Sequence, residues 1–558
     1  MEKQSDIIKI VIIAAFFSGG CFSLFSASLT AALAFISLFV LLWINKKILI
    51  PLSFPVFLIL GVIAAYGVVG FFAVDKGMAF LGFVKMTAAA AFLLLACQIT
   101  GESEKKSVWG IIPQLGGLSV LIGVGGIFLT FFTGESYFFQ NDRLGVFIDY
   151  ANTYALWLLL GLVIIAFQDK LKKSHYWLFA LNVCGISLAV SRSLAIISIA
   201  ALVLLLFLRP EKRKLISTMT AAGVIAGVAA FMVRGMQGNF GRLLETPGQA
   251  GEWLSRMSYY KDAISMIADN PLGMGYLGYW YSQPAYQTAF YDARFVHSSI
   301  VQYALDIGII PAIALIALGI ALIISKRTPL MEKIILVLVC GHSLIDIDLE
   351  FLLIFFVICF CIRPVTLRAV KSVKPAAAVI SLMIISHFYF GATAYFADKG
   401  PANLALKLYP WHTEVLEYEM MSVATLKEAV PYAKKLIKRN KYTFLAMDTL
   451  ARDSYSRGSI DEAVMFKIQS LSINRLFSRD YLELLEFCSA GYEKALHEGD
   501  TEAAEYYRQQ IIAIPETMEQ TERELSENAY KLKHKPDLQL PKQALDYIDN
   551  IERNDTLL

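Results

Sequence analysis

Residues 10–45 read IVIIAAFFSGGCFSLFSASLTAALAFISLFVLLWIN and contain no charged side chain. A helix crossing a ~30 Å hydrocarbon core uses about 20 residues. A run of 36 is therefore too long for one crossing and long enough for two. Gly19, Gly20 and the stretch Ser23 to Ser28 mark the turn between them. The rest of the first 400 residues repeats this pattern, with apolar runs at about 48–73, 78–98, 108–132, 149–168, 175–190, 193–208, 215–233, 298–324, 333–346, 350–362 and 376–397. The expectation is an all-α, polytopic membrane bundle of about 13 transmembrane helices. Composition agrees: 56% hydrophobic, 13% aromatic and 17% charged, with a mean hydropathy of +0.55, well outside the range of soluble globular chains.

Cytoplasmic loops retain lysine and arginine. With the N-terminus inside, the inner loops hold Lys46 and Lys47; Lys105 and Lys106; Lys170, Lys172 and Lys173; Arg209 to Lys214; Lys326, Arg327 and Lys333; and Arg363 to Lys374. Every basic cluster falls on one side, which a wrong span count would scatter. The outer side then carries the segment 134–143, the turn at Ser191 to Ser193, a large loop 234–297, and everything after residue 398. The N-terminus MEKQSDIIKI is read as the start of an uncleaved first span. Six of the seven cysteines sit in apolar runs, with neither disulfide nor metal-ligand spacing.

The large loop ends in WLSRMSYYKDAISMIADNPLGMGYLGYWYSQPAYQTAFYDARFVHSSIVQYALDIG (253–308). Arg256, Tyr260, Ala263 and Ile267 recur at helical spacing, and Asn270-Pro271 with the following glycines end that helix. His297 opens the next apolar run. An arginine fork binds phosphate bidentately, and a histidine moves a proton near neutral pH. Arg192, in SLAVSRSLAII, and Arg143, in FFQNDRLGVF, lie on the same outer side. The plain alternatives are snorkelling for Arg192 and an ordinary loop charge for Arg143. Lys85 falls mid-span, where it must find an acidic partner or a lipid phosphate. His342, Asp346, Asp348 and Glu350 cluster in GHSLIDIDLE at an outer helix end, where they would position sugar hydroxyls or counter the arginines; a solvated helix turn is the commoner explanation and the one expected. The tyrosines of the loop suit both sugar faces and a membrane interface.

After Asp398 charge becomes dense and helical periodicity continues. GSIDEA (458–463) and GDTEAA (499–504) each combine a glycine turn with an acidic helix start, and Ala446, Ala451, Tyr455 and Ala463 fit one helix-turn-helix unit. The tail resembles tetratricopeptide repeats, although its spacing of 41 departs from their 34. The expected domains are 1–397, a membrane domain with its large outer loop, and 398–558, an extracytoplasmic TPR-like helical domain that recruits a protein partner.

Arg-x3-Tyr-x2-Ala at 256, NPLGMGYLGY and VHSSIVQYALDIG, together with Ser191-Arg192, resemble the Wzy_C superfamily of O-antigen ligases and polymerases. The resemblance covers about residues 10–370 and is specific near 190 and over 253–308. It implies a GT-C-like, metal-independent, inverting glycosyltransferase at the outer face of the bacterial plasma membrane. The donor would be an undecaprenyl-diphosphate-linked glycan and the acceptor a glycan, wall polymer, lipid or protein. By position, Arg192 and Arg256 would bind the donor diphosphate and His297 would orient or deprotonate the acceptor hydroxyl. Arg143, Lys85, Tyr260, Arg294 and Ser298 would line the substrate. Ser298 stands where many ligases have asparagine. No cofactor is implied, and nothing marks nucleic acid as a partner. A transporter would show ionisable residues along several spans, and a scaffold would need none of the polar loop residues.

Overall fold

The computed structural model describes residues 2–233 and 251–553. The first part of the large loop, 234–250, lies outside them. The protein is all-α and 75% helical, and it divides into two compact units. The first comprises Met1–Val68, Leu81–Glu245 and His297–Asp398; the second comprises Val69–Phe80, Thr246–Val296 and Lys399–Leu558. The second unit therefore joins the sequence-distant tail to two segments of the first 300 residues.

Among the described residues five helices are long and apolar enough to cross a membrane: Leu24–Asn45, Lys76–Ala96, Glu102–Thr130, Pro210–Val233 and Val373–Asp398. Five more apolar helices are shorter. Gly19 and Gly20 take positive φ (88° and 65°), a conformation that costs glycine little, and reverse the chain between Glu2–Phe17 and Leu24–Asn45. Small residues set close approaches. At Gly223 and Gly227, a G-x-x-x-G pair, an added Cβ would lie 2.5 Å from the Ala180 carbonyl oxygen and 2.7 Å from Ser187 Cβ. Such pairs let helix backbones meet where apolar burial alone gives no drive.

One apolar run is broken where the sequence suggested a continuous span. The run at 298–324 divides into Ser299–Ile307 and Ile309–Ile324 at Gly308, whose φ is 91°. Farther on, Leu330–Ser343 and Leu352–Cys361 are separated by a segment that carries the three carboxylates of GHSLIDIDLE. At 1.5 Å per residue neither helix reaches ~30 Å. Irregular backbone at membrane depth is tolerated where protein buries it, and Ile347, Asp348, Leu349 and Phe351 are all buried.

In the second unit the helices Thr413–Ser422, Leu426–Arg439, Phe444–Ser456, Ile460–Leu471, Ser478–Glu498 and Thr501–Glu524 follow one another, each packed on the next. Gly458 and Gly499 take positive φ at two of the turns, and Ala446, Ala451 and Ala463 are fully buried between helices. The loop is bound into this unit. Ala289 packs with Ala529 and Leu532, the Ser526 amide donates to the Thr288 carbonyl (2.7 Å), and Asp262 accepts from the Thr288 and Tyr291 hydroxyls (2.8 and 2.9 Å). The segment 69–80 is held as well. Tyr409 donates to the Gly77 carbonyl (2.9 Å), and a Cβ at Gly77 would fall 2.2 Å from the Trp411 carbonyl oxygen.

Candidate active site

His297 sits just before Ser298, whose hydroxyl caps the helix Ser299–Ile307 by accepting from the Val301 amide (3.4 Å). Ser298 is 3% exposed, so its hydroxyl is taken up by the cap instead of facing a substrate. Serine and asparagine are both strong N-caps, which accounts for either residue after the histidine. The His297 side chain remains 28% exposed.

His297 Nδ1 lies 3.2 Å from Asp346 Oδ1 and 3.1 Å from the Tyr150 hydroxyl, which itself donates to Asp346 at 2.6 Å. The other Asp346 oxygen accepts from the Asn152 amide, and Asn152 in turn accepts from Arg143. A continuous chain of hydrogen bonds therefore joins Arg143 to His297 through Asn152 and Asp346. Arg143 also donates to the Ala189 carbonyl (3.0 Å). Its position is set by a two-residue hairpin: Asn141 and Asp142 both take positive φ, the primed-turn geometry these residues tolerate, between Phe139–Gln140 and Arg143–Leu144.

The segment expected to be a solvated turn is instead the anchor of the site. Asp346 and Asp348 have no exposed surface and Glu350 has 4%. The reason is pairing: each carboxylate holds a basic side chain. Asp348 takes His342 Nδ1 at 2.6 Å and the Thr153 hydroxyl at 2.9 Å. Glu350 takes Lys85 at 3.2 Å. Ser299 bolts the helix after His297 to the same segment, its amide and hydroxyl donating to the Asp346 carbonyl (2.9 and 2.8 Å). The sequence signal was available. Three carboxylates at alternating positions inside an apolar run are costly in a bilayer unless they are paired.

Arg192 begins the helix Arg192–Leu208, capped by Ser191. A cation at a helix N-terminus opposes the helix dipole. The preceding Val190 takes φ 45°, a strained conformation for a β-branched residue. Next to Arg192, the Ser193 hydroxyl lies 3.1 Å from His342 Nε2, which ties the arginine's turn to Asp348. The structure thus brings His297, Arg143, Lys85 and the Arg192 turn onto one acidic segment.

Arg256, Tyr260 and Arg294 belong to the second unit. Arg256 and Tyr260 are half-buried on the helix Gly251–Asp269, where Tyr260 meets Tyr259 edge-on. Arg294 is paired with Glu414 at 2.6 Å. Burial pulls the Arg294 guanidinium down, but the Glu414 carboxylate outweighs it and holds it above its ordinary value. Asp448, Asp480 and Glu483 lie within 4.8 Å of one another, a spacing that suits a metal ion. The Lys467 ammonium occupies their centre, at 2.9, 3.0 and 2.6 Å.

Residues 177–317, the stretch that holds Arg192, Arg256 and His297, match the O-antigen ligase family, Wzy_C. That stretch is similar to an O-antigen ligase domain. No curated protein and no solved structure matches it. The ligase match ends before GHSLIDIDLE and does not reach Arg143 or Lys85, so the carboxylates that anchor His297 and its neighbours come from outside the matched region.

Proposed function

We propose that this membrane protein transfers a glycan from a polyprenyl-diphosphate donor to an acceptor hydroxyl, in the assembly of a cell-surface polysaccharide at the outer face of a bacterial plasma membrane. The observation that carries this reading is His297, partly exposed and fixed through Nδ1 by buried Asp346, within a network that ends on Arg143. With Nδ1 held, Nε2 is the atom that takes the acceptor proton. The acceptor oxygen forms its bond to the anomeric carbon as the bond from that carbon to the diphosphate oxygen breaks. The leaving diphosphate departs with the electron pair, and Arg143 and Arg192 meet its charge. Fixed cations aimed at a developing anion and one correctly placed base are the two requirements of such a displacement. It inverts the anomeric centre and is proposed to proceed without a metal. The ligase-family resemblance gives Arg256 the same diphosphate-binding role.

A cavity of about 250 Å³ beside the acidic segment supports a lipid-linked donor. Leu315, Gly319, Ile358, Ser343, Leu344 and Leu349 help to line it, and its mainly apolar wall suits an isoprenoid chain. The helical tail is proposed to be a TPR-like, extracytoplasmic module that holds a protein partner or acceptor.

The test is reconstitution of the full chain in lipid with an undecaprenyl-diphosphate oligosaccharide, in chelator, with product length read by mass spectrometry. A ladder that disappears in His297→Ala supports polymerisation. Single transfer to an added acceptor, lost in the same variant, supports ligation. Product formed equally by wild type and His297→Ala overturns the proposal. Arg256→Ala in the same assay tests that residue's role.

A further inference from the structure

The second unit holds a polar cluster that the transfer chemistry leaves unused. Its framework is the helix Thr413–Ser422, whose first turn carries Glu414. Arg294 reaches Glu414 at 2.6 Å. Glu417, one turn further along, is half-buried. Tyr281, from the helix Gly278–Tyr286, is 5% exposed, and its hydroxyl has no hydrogen-bond partner among the described residues. The charges around that hydroxyl are Glu417, Glu414 and Asp75, with Arg294 opposing them.

A folded protein rarely leaves such groups unpaired, because a buried hydroxyl or carboxylate without a partner costs free energy. Burial first, then Glu414 and Asp75, push the Glu417 carboxyl up to about 7. A leucine at 417 and a phenylalanine at 281 would avoid this cost. The polar groups instead converge beside an exposed aromatic. Tyr418 lies one turn from Glu414 on the same helix face and is 64% exposed.

Carboxylates, a guanidinium and a phenol converging beside an open aromatic ring suit a sugar. Ring hydroxyls both donate and accept, and the CH face of a pyranose packs on an aromatic plane. We propose that Arg294, Glu414, Glu417, Tyr281 and Tyr418 form a saccharide subsite in the second unit, one that favours a sugar bearing a free amine. Glu414 and Glu417 accept from the amine and hydroxyls, Arg294 and the Tyr281 hydroxyl donate, and Tyr418 stacks. The preference for an amine follows from charge. Asp75, Glu414 and Glu417 surround the Tyr281 hydroxyl against the one guanidinium of Arg294, while burial and Arg294 keep the neighbouring His412 neutral by lowering its imidazole to about 4. The choice of a sugar rests on the glycan-transfer reading; the convergence of Tyr281 and Glu417 on the Arg294–Glu414 pair does not.

The test is binding by the full chain in lipid nanodiscs, followed by ligand-observed NMR and titration. The probes are the tetrasaccharide of glucosamine, that of N-acetylglucosamine, and tetragalacturonate. The glucosamine tetramer should bind best and tetragalacturonate least. Glu417→Gln should weaken the glucosamine tetramer roughly tenfold, the scale of a charge-assisted hydrogen bond. Tyr281→Phe and the surface change Tyr418→Ala should each weaken it several-fold. Binding that all three variants leave unchanged, binding led by tetragalacturonate, or no binding of any probe overturns the proposal. The assay needs no turnover. A chain that binds but does not transfer overturns the transferase reading alone; one that transfers but does not bind overturns the subsite alone.

Discussion

Two buried charge clusters, one in each unit, look alike by residue type and differ in where they end. In the second unit Lys467 has no exposed surface and three carboxylates around it. Burial works against its ammonium, but Asp448, Glu483 and Asp480 hold it above its ordinary value. Every member answers another, and where the cluster reaches the surface Glu483 is closed off by Arg452, whose side chain is 51% exposed. In the first unit Asp346, Asp348 and Glu350 are as deeply buried, yet their network runs out to His297, which stays 28% exposed, to half-buried Arg143, and through Ser193 to the turn that carries Arg192. Burial of charge therefore does not separate structure from function here. A network whose exposed end is an imidazole can pass a proton to something outside itself, and one whose exposed end is a guanidinium already paired with its own carboxylate holds the fold.

The comparison breaks if the open network proves dispensable. His297→Ala should lower transfer by roughly 10²- to 10⁴-fold, the range of a general base, while thermal stability stays near wild type because the ring is partly exposed. Parallel initial-rate and melting measurements check this. An active His297→Ala, or an inactive one that has unfolded, would place His297 with the structural residues.

Lys467→Met is the matching test of the closed cluster. Removing one partner leaves buried carboxylates uncompensated, at about 3–5 kcal/mol. Differential scanning fluorimetry or limited proteolysis of the full chain should show the second unit destabilised. The vacated centre has metal-ligand spacing, so millimolar Ca²⁺ should restore part of the loss in Lys467→Ala. No destabilisation in either variant would mean that the lysine is not the keystone.

How much of this was legible in the sequence depends on distance along the chain. The uncharged run 10–45 announced a membrane protein, and local spacing placed Arg256 on a helix and His297 before one. What sequence could not supply was pairing across hundreds of residues: Lys85 with Glu350, Tyr150 and Asn152 with Asp346, Ser193 with His342. GHSLIDIDLE read as a solvated turn because acidic residues near a helix end normally meet water. The tail boundary at 398 was visible as a change of composition. The capture of 69–80 and part of the large loop into the same unit was not, because Asp262 and the pair Gly77 and Trp411 carry no local sign of their partners. The break at Gly308 was muted by the apolar residues on both sides.

The link between Ser193 and His342 grades the comparison further, since it joins the closed part of the first-unit network to Arg192. Ser193→Ala deprives a buried imidazole of a partner and should cost about 1–3 kcal/mol. If that contact positions Arg192, the loss appears as a roughly tenfold fall in transfer, with Ser193→Thr recovering most of it. If the contact is only structural, melting temperature falls and transfer per folded molecule does not.

The smallest expected effect has the opposite sign. Burial, then Glu414 and Asp75, raise the Glu417 carboxyl to about 7 from an ordinary value near 4.3. A raised folded-state pKa gives stability that is fully present below the unfolded value and lost as pH rises through the folded one. Between about pH 4.3 and 7 the wild type should therefore lose stability that Glu417→Gln keeps. Discounted for partial exposure, the difference above pH 7 is on the order of 1 kcal/mol. That corresponds to about 2–4 °C in melting temperature for a unit of this size. Melting curves at pH 5 and pH 8 decide it, and equal slopes in both proteins would show that Glu417 is adequately solvated. A variant that is more stable and binds saccharide less well would extend the contrast to a third cluster. Residues kept at a cost to stability are the ones to examine for binding, and unlike Lys467, Glu417 has carboxylates rather than a cation beside it, Glu414 and Asp75.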